Sequence, residues 1–113
     1  MPDIFSKTRF DPARYLPLTE ATYYTMLSLV EPLHGYGIMK KVAEISGGAV
    51  KPGPGTMYGI LSTLEKEGLI MREKAEKRRK RYILSIPGRL VLKEQIDRLE
   101  VMVKNARDVR TRL

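Results

Sequence analysis

The chain has 113 residues, 42% of them hydrophobic and 30% charged, which suits one small globular domain and excludes a disordered chain. Twenty-one Lys and Arg against 13 Asp and Glu leave a formal charge of +8, a balance that in so short a chain points to a polyanionic partner. Zero cysteines exclude a disulfide framework and thiolate metal sites, and fit a cytoplasmic protein. No apolar run approaches membrane-spanning length, and "MPDIFSKTRF" lacks the apolar stretch of a secretory signal, so no membrane partner is expected.

Residues 1–18 hold Pro2, Pro12 and Pro17 with little periodicity, and read as an N-terminal arm. Within it "DPARYL" makes one short helical turn, with Asp11 as cap and Pro12 at the first helical position. Thr19 caps the helix "TEATYYTMLSLVE", whose buried stripe is expected at Tyr23, Met26, Leu27 and Val30, with Pro32 as its end. "HGYGIMKKVAEISGG" is the second helix, buried through Ile38, Val42 and Ile45 and stopped by Gly47-Gly48. The loop "KPGPG" leads into a third, "PGTMYGILSTLEKEG", begun by Pro54 and closed by Gly68, with Met57, Leu61 and Leu64 inward. "LIMREKA" and "RKRYILS" read as the strands of a β-hairpin with its tip around Glu76–Arg78. Ser85 caps a last helix running from about Ile86 to the C-terminus.

That last helix carries a heptad seam. Leu92, Ile96, Leu99, Val103, Ala106, Arg110 and Leu113 are spaced 4-3-4-3-4-3, with Arg110 as the polar interruption and Met102 and Val109 widening the face. A helix of roughly 25 residues is too long to bury both ends on so small a core, so the seam is expected to form a homodimer through Leu92, Ile96, Leu99, Val103, Ala106 and Leu113.

The order helix, helix, helix, hairpin, helix on a basic chain predicts a mainly α fold with a small β-hairpin: a winged helix-turn-helix at residues 19–85, preceded by the arm and followed by a dimerisation helix at 86–113. In such a module the third helix enters the major groove of double-stranded DNA and the hairpin touches the backbone beside it. Charge placement agrees. "REKAEKRRKR", Arg72 to Arg81, holds seven basic and two acidic residues, +5 of the chain's +8. Five consecutive cations, Lys77, Arg78, Arg79, Lys80 and Arg81, repel one another, a cost that a phosphate backbone relieves. The outward stripe of the third helix is Thr56, Gly59, Thr63 and Lys66, flanked by Tyr58 and Ser62. Small and hydroxyl residues let such a helix lie close to DNA. Gly59 in mid-helix costs about 1 kcal/mol relative to Ala, explicable by close approach to DNA or by a tight crossing within the protein.

Enzymatic readings find little support. "GPGTMYG" matches neither the dinucleotide nor the P-loop pattern and follows no strand. His34 is the only histidine, so no catalytic residue, metal site or cofactor is expected. The alternative class is a basic adaptor or membrane-surface module that uses the amphipathic last helix.

"LTEATYYTMLSLVEPLHGYGI", "GTMYGILSTLEKEGLI" and "RKRYILSIPG", in that order and at those distances, resemble the PadR-like transcriptional regulators over residues 16–90. The resemblance implies a dimeric winged-helix protein, mostly a repressor in this family, with the C-terminal helix in the dimer interface. It places Thr56, Tyr58, Ser62 and Lys66 on the recognition helix and Lys77, Arg78, Arg79 and Lys80 on the wing. It also implies a small-molecule effector of unknown identity near the dimer interface, for which Tyr15, Tyr23, Tyr24, Met26 and Met102 are candidate lining residues. The chain departs from the family's usual pattern in a wing tip, "EKRRK", that holds neither Gly nor Pro.

Overall fold

The computed structural model describes residues 10–73 and 80–113. Asp11 accepts a hydrogen bond from the Ala13 amide at 3.1 Å, and Pro12 opens the single 3-10 turn Pro12–Tyr15. Phe10, Tyr15, Leu16 and Leu18 then pack against the core, and the Leu18 amide donates to the buried Gln95 Oε1 at 2.7 Å. Residues 10–18 of the expected arm are thus docked against the core.

Thr19 accepts from the Thr22 amide and starts α1, Glu20–Ser28. Met26 is buried as expected, but the helix ends at Ser28, well before Pro32. The Leu29 carbonyl accepts from the Leu84 amide at 2.9 Å, so the chain leaves the helix there to join the sheet. The 3.6-residue period lapses with it. Leu29 takes the buried place and Val30, expected inside, faces solvent. A strand that the sequence did not announce follows: β1, only Leu33–His34.

The helix α2, Gly35–Ile45, buries Ile38 and Val42; Ile45, its last residue, lies past the edge of the core and is exposed. Pro54 opens α3, Pro54–Lys66, which buries Met57, Leu61 and Leu64 at the expected 4-3 spacing. Gly68, with φ +76°, turns the chain out of it. The strands β2, Ile70–Glu73, and β3, Arg81–Leu84, pair antiparallel, Ile70 opposite Leu84 and Glu73 opposite Arg81, and the expected hairpin tip around Glu76–Arg78 lies outside the described residues. With β1 on the other side of β3, the sheet order is β1-β3-β2.

Ser85 joins this sheet to α4, Ile86–Arg110. Its hydroxyl accepts from the Gly88 amide at 3.0 Å and donates to the Gly68 carbonyl at 2.7 Å, while its own amide donates to Leu69 O at 3.0 Å. Three bonds on one residue fix where the helix leaves. Val91, Leu92 and Gln95 are buried and Ile96 packs against the core, whereas every residue from Glu100 to Leu113 is exposed. The radius of gyration, 16.3 Å, exceeds the ~13 Å of a compact chain near this length. Leu92, expected on a dimer seam, is only 6% exposed and belongs to the protomer's own core, because the first turns of α4 lie on the domain.

Candidate nucleic-acid interface

The three inward residues of α3 orient all the others. Thr56, Tyr58, Gly59, Ser62, Thr63 and Lys66 are exposed and lie on the side away from the core. Of the two explanations for Gly59, the intramolecular one fails: a Cβ built there meets nothing within 4 Å, and the same holds for Gly55 one turn earlier. Among the described residues nothing packs against Gly55 or Gly59 on this face. Lys66 in the last turn adds a positive charge at its far end.

The hairpin's charges are less uniform than the sequence suggests. Arg81 pairs with Glu73, its partner across the ladder, and Arg72 reaches from β2 to Glu65 of α3 at 2.7 Å. Both pairs are partly solvated and so contribute at most about 1 kcal/mol each, but Arg72–Glu65 ties the sheet to α3 and Arg81–Glu73 ties β3 to β2, so both cations are engaged within the protein. Lys80 is exposed. Lys77, Arg78 and Arg79 lie outside the described residues.

Between α3, the start of α2 and the sheet runs an open cleft of about 900 Å³, lined by His34, Tyr36, Tyr58, Ser62, Glu65, Arg72, Lys80 and Tyr82 among others. His34 Nδ1 stands 3.3 Å from the Lys80 carbonyl. Burial pushes the Tyr82 phenol above its ordinary range, with nearby Arg72 pulling the other way, so this hydroxyl stays neutral. Tyr36 is 74% exposed at the cleft's edge, an aromatic beside the outward side of α3 that sequence reasoning passed over. Only its place two residues after β1 brings it there, and β1 left no pattern in the sequence.

A second groove, about 470 Å³, lies along α4 between Tyr23, Ile96, Leu99, Glu100, Val103, Lys104 and Arg107. Val103 on its wall is 55% exposed, and Met102, Ala106, Val109 and Leu113 are exposed as well. Of the candidate effector-lining residues, Met26 is fully buried in the core and unavailable; Tyr15 and Tyr24 are partly buried against it, and Tyr23 faces the groove. Among the described residues no group of three or more His, Cys, Asp or Glu could hold a metal, and no helix is long and apolar enough to cross a membrane.

The model of the PadR-like family of transcriptional regulators matches residues 19–94, well over half of the chain. The chain belongs to that family. A PadR-like transcription factor from Bacteroides fragilis superposes with a TM-score of 0.67 at 23% identity, covering 95% of this chain and 98% of that one. A PadR-family transcription regulator from Clostridium difficile gives 0.65 at 25% identity over 78% and 96%. A further relative, an uncharacterised 37.1 kDa protein of transposon Tn4556 from Streptomyces fradiae, is 34% identical over 64 residues. This chain spans 18% of that protein's length, and the match covers 57% of its own.

The element order α1, β1, α2, α3, β2, β3, with its small antiparallel sheet, matches the winged-helix fold of the PadR-like family. The family is one of transcriptional regulators and not of enzymes, and its members bind DNA.

Proposed function

We propose that the protein is a homodimeric, sequence-specific regulator of transcription that binds double-stranded DNA in the cytoplasm, represses, and is released by a small-molecule effector. One observation carries the reading. The exposed face of α3 combines glycines that none of the described residues requires with Thr56, Tyr58, Ser62, Thr63 and Lys66, and it borders a cleft that Arg72 and Lys80 also line. Such a face lets a helix approach the groove closely while its hydroxyls and the wing cations meet phosphate. No Arg, Asn or Gln on α3 is placed for a bidentate base contact, so selectivity rests on Tyr58, Ser62, Thr63, DNA shape and half-site spacing.

The exposed apolar end of α4 supports dimerisation. Leu99, Val103, Ala106 and Leu113 continue the heptad beyond the domain, and the groove beside Tyr23 has room for a facing helix. A dimer joined there would hold its two α3 helices at a fixed separation. An effector lodged near Tyr23 and Met102 would act by changing that separation.

The test is binding to duplex fragments selected from genomic DNA, with vesicles of anionic lipid as the competing ligand. Submicromolar binding to a selected duplex is expected. Tight vesicle binding without a DNA complex would favour the membrane-surface alternative and overturn the proposal.

A further inference from the structure

We propose that Gly35 is a positioning residue for Tyr58, and that this pair, rather than Tyr58 alone, sets how α3 meets a duplex; the inference rests on the DNA-binding reading above. Gly35 opens α2 and is buried. Its backbone gives no reason for a glycine, since the positive φ values in the described chain belong to Gly47, Gly48 and Gly68. Helix propensity would favour alanine. What a side chain would meet is Tyr58: a Cβ on Gly35 would sit 2.3 Å from its Oη, 2.8 Å from Cζ and 3.0 Å from Cε1. The outer end of the tyrosine ring rests on the bare Cα of the neighbouring helix.

The other glycines nearby behave differently. A Cβ on Gly37 would make an ordinary 3.6 Å contact with Leu33 Cδ2, and Gly55 and Gly59 face open space. The gap at Gly35 is therefore specific to Tyr58. Tyr58 is 50% exposed and belongs to the outward side of α3. An unrestrained tyrosine there would sample several χ1 wells, including ones that swing the ring across the smooth stripe of Gly55 and Gly59. With its hydroxyl lodged over Gly35, the ring is drawn aside into the wall of the cleft with Ser62 and Tyr82, and the stripe stays open. Gly35 thus acts on DNA through Tyr58 without needing to touch it.

The obstructing atoms are the far end of a flexible side chain, so Gly35→Ala moves the ring and leaves the fold intact. The test is a double-mutant cycle on affinity for a selected duplex and for unrelated duplex DNA, with thermal midpoints measured alongside. Gly35→Ala is expected to keep its midpoint, to weaken the selected duplex by roughly three- to tenfold, and to spare unrelated DNA, the range expected for two residues in direct contact. In a Tyr58→Ala background the same substitution should have no effect. An equal loss in both backgrounds, or no loss in the native background, overturns the positioning role while leaving the DNA-binding reading in place. If the native protein binds neither duplex, that reading fails and the proposal with it. Should Gly35→Ala unfold, recovery of its midpoint by Tyr58→Ala would support the pair, and no recovery would overturn it.

Discussion

A methyl group at position 88 would lie 1.9 Å from the Leu69 carbonyl oxygen and 3.0 Å from its carbon, both backbone atoms that cannot step aside. Gly88→Ala is therefore expected to lower stability by roughly 2–4 kcal/mol, read from denaturant midpoints, with the helical signal of α4 lost alongside. Ser85→Ala removes the cap of α4 and the bond to Gly68 together, for an expected loss of about 1–2 kcal/mol by the same measurement. These neighbours differ in how visible they are in the sequence. Ser85 announces itself, since a serine before an apolar-periodic run is a local signal. Gly88 does not, because its requirement comes from Leu69 on another element. Gly35 is hidden in the same way, its need for a bare Cα coming from a tyrosine 23 positions later.

The elements themselves were legible wherever a local pattern decides. The capped start of α1 and the full extent of α3 follow from periodicity and proline placement. What long-range pairing decides was not. β1 exists only because β3 lies alongside it, and α1 ends at Ser28 only because Leu29 must offer its carbonyl to Leu84. The heptad misled at Leu92 for a related reason: periodicity gives the face of a helix but not how many of its turns the domain already covers. On α3, Gly59 separates stability from function. Gly59→Ala meets no obstacle among the described residues and should raise stability by about 0.5–1 kcal/mol. If the face lies against DNA, the same methyl should weaken binding to duplex. A variant both more stable and equally tight in a duplex titration would detach Gly59 from DNA.

For the whole molecule, charge and shape make separate statements. The sequence concentrates most of the positive charge between Arg72 and Arg81, and of the described cations there Arg72 and Lys80 share a cleft with α3, while the pairs Arg81–Glu73 and Arg72–Glu65 show that a count of cations overstates the field. The end of α4 projects with its apolar seam uncovered, so Leu99→Glu with Val103→Glu should leave a monomer by light scattering and weaken operator binding by an order of magnitude or more. A double variant that stays dimeric would move the interface elsewhere.

The central claim, that the α3 face and the wing grip a phosphate backbone, is tested most directly by the salt dependence of duplex affinity. With six to ten phosphates neutralised per dimer, affinity should fall by roughly 10³–10⁵ between 50 and 200 mM salt, and Arg79→Ala should lower the slope of log affinity against log salt by about 1. A duplex affinity that barely changes over that range, or a slope unmoved by Arg79→Ala, would contradict it.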